Sequence, residues 1–534
     1  MRVVLPVVFL GLIAALLVAI ARRILGRREG SKDGNDILVY LLLAVAVGVA
    51  TFSLAQLARA AFPGAELVFG SGERVATALA GLVVSMPFVV YLWRRQSERR
   101  RIYPEAAGWT LYLAAIEAVF LTSAVIAAIE VLRWLIGDDP RPDWTNVIVY
   151  GGVVAYHHWV ARQSPPRSDA AELPRIIGSA VGLVPASIGL GGLFFWLLEL
   201  VYSRLTPIVQ DAEPATSLAF LLVGGAVWAY RWLPAWPGEP QVPRLAWTTG
   251  VSIVSLAATI GALVAVVIDI FTYLLPGAEA AGDHFSALPL QLAIAATGAL
   301  IWTHHRRLLG AERTQALRAY GYVLAAIGLG TAIGSGTALV TAVFDPGALV
   351  EPSAEDAGTS AIVLLAAVLV WHRFWSQAVA APREFEVGSL TRRIYLLGMG
   401  VVTGLTSAGA LIAVLVVIFR RLLSVDTGDG LMTPLALAVF SGLAAWHLLR
   451  THNADRQLLS TEEVVTPYAV TVICSHPGVL ATRFPEQATL TVIYRDDAAG
   501  VINDAMADEI VTAVNHRSSV VWVDQDGFRV APLR

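Results

Sequence analysis

The sequence predicts an all-α polytopic membrane protein of about 13 transmembrane helices, with six parallel two-helix repeats and a small C-terminal α+β cytoplasmic domain. Three observations carry this prediction. The 534 residues are 56% hydrophobic and only 15% charged, with a mean hydropathy of +0.65, whereas a soluble domain carries roughly 25% charged residues. Apolar runs near or above the ~20 residues that cross ~30 Å of hydrocarbon recur to about residue 450 and then stop. An aromatic-basic signature also returns at intervals of about 70 residues along the same stretch.

Taken in order, windows of about 19 residues place segments near 3–25, 36–60, 75–94, 109–136, 144–161, 175–205, 216–233, 245–275, 286–304, 318–344, 359–377, 393–423 and 432–450. The first is followed directly by "ARRILGRR" with no small-residue cleavage site, so it reads as a retained helix. With its N-terminus outside, the loops and helix ends that become cytoplasmic hold 23 Lys/Arg, beginning with Arg22, Arg23, Arg27, Arg28 and Lys32, against 7 on the other side. The positive-inside rule then orients the chain in a bacterial cytoplasmic (inner) membrane, N-terminus outside and C-terminus cytoplasmic. The outer loops are acidic instead, with Glu279 and Asp283, then Asp345, Glu351, Glu355 and Asp356.

The repeat is legible in the ends of alternate segments. "YLWRRQ", "VAYHHW", "VWAYRW", "IWTHHR", "LVWHRF" and "LAAWHL" share a register at spacings of 63, 74, 74, 67 and 75 residues. The paired positions are Trp93-Arg94, Tyr156-His157, Tyr230-Arg231, His304-His305, Trp371-His372 and Trp446-His447. Trp and Tyr favour the headgroup level and basic side chains reach beyond it, so all twelve are read as interfacial anchors. Adjacent histidines point about 100° apart on a helix, which makes His157/His158 and His304/His305 poor chelators within one helix. Histidines on different helices leave a haem or proton-linked role as the alternative, with His158, His304, His372 and His447 as ligands.

A second column, Gln56, Glu130, Glu199, Asp269, Thr341 and Val417, recurs at 74, 69, 70, 72 and 76 residues near the outer end of each long segment. Ionisable groups at such depth are functional candidates by default. Glu117, in "LAAIEAVFL", lies deeper and outside that register. Glu117, Glu130, Glu199 and Asp269 are therefore the candidate polar pathway, and structural hydrogen bonding between helices is the competing reading. Gly330 to Gly334, Gly400 to Gly404 and "SIGLGGLFFW" beyond Pro185 are expected to let helix backbones approach closely.

Two crossings per unit make the repeats parallel, unlike the inverted repeats of many transporters. The openings "LYLAAI" and "RRIYLLGMG" and the "VWHR" ending, nearest at Trp371-His372-Arg373, resemble an uncharacterised bacterial family of repeated two-helix membrane domains, a domain of unknown function. The resemblance spans roughly residues 36 to 450 and implies the repeat organisation, with no activity, cofactor or site.

The domain plan is therefore residues 1–34 as an N-terminal helix and basic loop, 35–450 as six tandem repeats, 451–464 as a linker and 465–534 as a ββαββ cytoplasmic domain. In that domain "YAVTVICSH" and "ATLTVIYRD" read as strands, "NDAMADEIVTAVNH" as an amphipathic helix, and "SSVVWVDQDGFRVAPL" as a hairpin turning at Asp526-Gly527. The single cysteine, Cys474, excludes an intramolecular disulfide, and its spacing from His476 suggests at most a catalytic dyad. No nucleotide, zinc-protease or hydrolase motif accompanies it. A net charge of −3 gives no field for nucleic acid. The expectation is a non-enzymatic scaffold or accessory subunit, with no metal and no cofactor. Its partners are the lipid bilayer and a cytoplasmic or membrane protein docking through residues 465–534. A transporter or channel for a small cation or proton-coupled solute is the alternative, and a haem or quinone redox protein the second.

Overall fold

The computed structural model describes residues 32–61, 71–102, 107–137, 142, 144–165, 171–202, 214–234, 242–276, 280–310, 315–344, 354–381, 386–423, 430–461, 468–474, 480–484, 488–494, 502–514, 518–524 and 527–532. The segment at 3–25, the basic residues from Arg22 to Arg28, the loop acids Glu279, Asp345 and Glu351, and His476 lie outside them. Twelve long helices follow one another: α1 (Lys32–Ala61), α2 (Ser71–Ile102), α3 (Ala107–Leu135), α4 (Trp144–Gln163), α5 (Leu173–Tyr202), α6 (Pro214–Trp232), α7 (Val242–Tyr273), α8 (Leu288–Leu308), α9 (Gln315–Phe344), α10 (Ala354–Ala380), α11 (Leu390–Leu422) and α12 (Met432–Thr461). Among the described residues ten helices are long and apolar enough to cross a membrane, so the chain is a multipass membrane protein. The two shorter helices, α4 and α6, fall outside that ten because "YHHW" and "YRW" bring polar groups into already short spans.

Close contact between antiparallel neighbours builds the hairpins. Along α5 and α6, a Cβ added at Gly182 would lie 2.8 Å from Trp228 Cα, and one at Gly189 would lie 2.8 Å from Leu221 Cα. These contacts run in opposite directions along the two helices, and Gly224 faces back onto Ala186 and Gly182. Pro185 is buried inside an unbroken α5 and meets Gly224 in the same seam. Gly298 of α8 sits on Ser255 and Thr259 of α7, while Gly328 of α9 sits against Ala367 and Trp371 of α10. Such contacts replace the hydrophobic drive that apolar lipid cannot supply. Gly330 and Gly334, expected at an interface, have nothing within 4 Å; the close contacts of α9 are made by Gly328 and Gly336, on a different face. Large apolar side chains such as Val83 (71% exposed) and Ile148 (70%) point outward, as lipid contact requires.

The signature ends of successive hairpins meet in one layer. Trp93 of α2 lies 5.6 Å from the ring of His157 on α4, His158 is hydrogen-bonded to Tyr230 of α6, and Trp232 donates to His304 of α8. Trp302 continues the line by donating to Tyr320 at the start of α9. The units from α2 to α9 therefore run in the same sense, as parallel repeats must.

The chain divides into two compact units. The first comprises residues 1–381 and 402–444; the second comprises 382–401 and 445–534. In the second, α12 continues to Thr461, where a linker from residue 451 was expected. Arg392 explains the extension by holding Asp455 with two hydrogen bonds, which gives the polar last turns a partner. The soluble part adds β1 (Tyr468–Cys474), α13 (Leu480–Arg483), β2 (Ala488–Tyr494), α14 (Asp504–Val514), β3 (Ser519–Asp524) and β4 (Gly527–Pro532).

Strand order is β2-β1-β3-β4, with β1 parallel to both β2 and β3 and β4 antiparallel to β3. The four strands, the main helix and the hairpin match the sequence expectation. The short α13 was not anticipated; β3 and β4 pair up to Asp524 and Gly527, and Asp526 of the expected turn lies outside the described residues. Val470, Val472, Cys474, Ile510, Val514, Val521 and Val523 form the core. Burial pushes the Cys474 thiol above its ordinary range.

Candidate functional site

The most developed polar cluster lies where α3, α4, α5 and α6 converge. The α-helical winding of α3 loosens into a π-turn over Glu117–Leu121, with Glu117 at its first position. A single π-turn re-aims the side chains around it and occurs often at functional sites. Thr122 and Ser123 then donate to the carbonyls of Ala118 and Val119, which satisfies backbone acceptors around the irregular turn.

Glu117 is buried, and its Oε1 accepts a hydrogen bond from Arg231 Nη2 at 2.5 Å. The other oxygen, Oε2, is buried without a hydrogen-bond partner among the described residues and lies beside Gly178. A Cβ at Gly178 would stand 3.0 Å from that oxygen and 3.1 Å from Arg231 Nε, so glycine lets α5 approach the pair without displacing either side chain. Two buried ions of opposite sign at this distance largely cancel each other's field, whereas either alone would be costly.

The network continues outward from Arg231. Its Nη1 lies 3.2 Å from His158 Nδ1, and a guanidinium can only donate, so Nδ1 is the acceptor. His158 Nε2–H is then the donor to Tyr230 Oη at 2.8 Å, and that oxygen also accepts from Arg162 Nη2 at 3.0 Å. Arg175 of α5 donates to the carbonyls of Arg231 (2.7 Å) and Pro234 (2.6 Å), closing the end of α6. Beside this cluster, His157 donates from Nδ1 to Val153 O and accepts from the Tyr112 hydroxyl at 2.7 Å. Tyr112 belongs to an aromatic core with Tyr40, Trp93 and Trp109, and Arg100 places its guanidinium 4.5 Å and 4.3 Å from the Trp93 and Trp109 ring centroids.

The predicted anchors divide into two groups. Arg94, Tyr156, Tyr230, His372 and Trp446 are exposed, and Trp93, His304, Trp371 and His447 are half-buried. His157, Arg231 and His305 are buried, and His157 and Arg231 bond to side chains of neighbouring helices, so these three face the helix array and not outward. The reason is geometric: two adjacent residues on a helix diverge by about 100°, so where one faces the boundary the next faces the neighbouring helix. His305 donates to Ile301 O along its own helix and packs 5.5 Å from the Trp232 ring.

The candidate acids do not converge. Glu117 and Glu130 are 13 residues apart on α3, about 20 Å along the axis. Glu130 is exposed, and Glu199 is half-buried near the end of α5. Half-buried Asp269 accepts from Gln291 Nε2 at 2.8 Å. Among the described residues no three His, Cys, Asp or Glu side chains gather as a metal site.

Arg175 belongs to a further column, separate from the aromatic-basic signature: Arg175, Arg244, Arg318 and Arg392 open α5, α7, α9 and α11 at spacings of 69, 74 and 74 residues. Three of these arginines hold neighbouring segments. Besides Arg175, Arg244 pairs with Glu172 at 3.5 Å, and Arg392 with Asp455 at 2.6 Å. The regular spacing was the available signal, but each partner lies on a different segment and follows no common register.

A family model described as a domain of unknown function (DUF5671) matches the chain twice, over residues 36–163 and 318–443. Each match covers four helices, or two hairpins, and the starts are 282 residues apart, which is four repeat lengths of about 70. No curated protein and no solved structure matches the chain.

Proposed function

We propose that this chain, built on a repeated domain of unknown function, is a non-enzymatic scaffold or accessory subunit of the bacterial cytoplasmic membrane. The excess of basic residues on alternate loops argues for the signature ends and the C-terminal sheet domain on the cytoplasmic side. One observation carries the reading: the deepest candidate acid, Glu117, is closed by Arg231, whose other contacts tie α4, α5 and α6 together. The polar groups of this layer bond mainly to one another, and backbone-to-backbone seams at Gly182 and Gly189 add to a fixed helix array. A protein partner is proposed to dock through residues 465–534.

The test is reconstitution of the full-length chain in liposomes. Proton and potassium flux should equal that of protein-free vesicles, while Glu117→Gln should lower thermal stability. Flux that Glu117→Gln abolishes at unchanged thermal stability would replace this reading with transport. The transport reading has its own support in the π-turn at Glu117 and in its Oε2, which has no hydrogen-bond partner among the described residues. For the partner, photocrosslinking residues at the exposed positions Ile493 and Trp522 should give one discrete adduct in cells. A smear, or the same band from a position on a lipid-facing helix, would count against docking.

A further inference from the structure

The second compact unit contains a cleft of about 420 Å³ lined by Val387, Arg393, Leu397, His452, Asp455, Arg456 and Leu459. We propose that this cleft binds a phosphate-bearing anion, as the headgroup of an anionic phospholipid or as a soluble phosphate compound.

Charge is the first argument. Asp455 would repel an anion, but Arg392 holds it in a buried, two-pronged ion pair, with Nε to Oδ2 at 2.6 Å and Nη2 to Oδ1 at 3.1 Å. Its charge is thereby neutralised. Arg393, next to Arg392 in sequence, and Arg456, next to Asp455, are exposed and enter no ion pair among the described residues. Among the described residues the cleft is left with two guanidinium groups outside any ion pair and one imidazole. A guanidinium presents paired N–H donors whose spacing matches two oxygens of a phosphate, and two arginines on different helices can grip it from both sides.

Position and shape supply the second argument. On α12 the exposed Trp446 stacks under Arg450, whose guanidinium is 5.3 Å from the ring, and an aromatic with a neighbouring cation marks the headgroup boundary. His452 and Arg456 follow 6 and 10 residues later, about two to three helical turns. Val387, Leu397 and Leu459 give the same cleft an apolar wall. A charged mouth beside an apolar wall at this level suits a group that is anionic at one end and greasy at the other. Basic pockets at the ends of transmembrane helices bind anionic lipids on these terms.

The experiment is native mass spectrometry of the full-length protein, titrated in turn with phosphatidic acid, phosphatidylglycerol, phosphatidylcholine and inorganic phosphate. Anionic lipid should bind more tightly than phosphatidylcholine, and Arg393→Gln and Arg456→Gln should each weaken it about fivefold. Both side chains are exposed and enter no ion pair among the described residues, so the variants should fold, and an unchanged melting temperature checks this. Arg393→Lys should keep more of the binding than Arg393→Gln, because the charge remains. Lipid binding that inorganic phosphate does not displace identifies the bilayer as the source; phosphate binding without a lipid preference, lost in the same variants, identifies a soluble ligand. Equal affinity for phosphatidylcholine and the anionic lipids together with no phosphate binding, or no loss in the double Arg→Gln variant, overturns the proposal.

Discussion

Replacing Glu117 with Leu should destabilise the protein far more than replacing Glu117 and Arg231 together. In the single variant the Arg231 guanidinium stays where only 8% of the residue is exposed, and it loses the carboxylate 2.5 Å away. Among the described residues His158 is the other side chain it hydrogen-bonds, through a 3.2 Å contact to Nδ1, and that neutral acceptor cannot balance a full charge. Breaking a buried pair from one side costs about 3 to 5 kcal/mol, whereas substituting both partners with apolar groups of similar volume is often near neutral. Glu117→Leu and Arg231→Met should therefore each lose about 3 kcal/mol, and the double variant less than either. The resulting coupling of at least about 3 kcal/mol lies at the upper end of values for contacting residues. Reversible unfolding in mixed micelles, followed by tryptophan fluorescence, measures all four corners of the cycle. Additive losses, with the double variant at about twice the single cost, would show that the two side chains do not stabilise each other.

Two further predictions follow from packing and burial. Gly182→Ala and Gly189→Ala should each cost about 1 to 3 kcal/mol, because the new Cβ atoms meet backbone of α6, whereas Gly330→Ala, with nothing within 4 Å, should be neutral or mildly stabilising. Melting temperatures of the three variants in one detergent check the order, and equal shifts would contradict the seam. Cys474 is fully buried with its thiol raised, so iodoacetamide should modify it slowly in the folded chain and quickly in urea. A thiol raised on folding stabilises below its unfolded value of about 8.5 and loses that contribution as pH climbs through the folded value. Melting temperatures of the wild type should therefore fall more steeply above about pH 8.5 than those of Cys474→Ala; parallel curves would contradict the assignment.

Hydropathy made the helices legible because burial in lipid demands long apolar runs, and each segment expected between residues 36 and 450 contains a long helix. The repeat was legible for a related reason, since Trp, Tyr, Arg and His cluster at helix ends. The inward half of the signature was not. Whether His157 or Tyr156 faces a neighbour depends on the rotation of α4, and the pattern of single letters carries both orientations equally. Glu117 stood out by its depth, but its partner is 114 residues away on another repeat, and "EAVFL" has no local mark of a π-turn. Gly328 and Gly330 show the same limit: both belong to a glycine-rich run, and only the first touches another helix.

The central claim is that hairpins repeat in one orientation and gather their signature ends in a single layer. Cysteine accessibility in intact spheroplasts tests it, using exposed positions in a Cys474→Ser background. Arg94→Cys, Arg307→Cys and Arg373→Cys should react only after the membrane is permeabilised, while Asp283→Cys and Glu355→Cys should react from outside at once. Labelling of Arg94→Cys and Arg307→Cys from opposite faces would contradict the account.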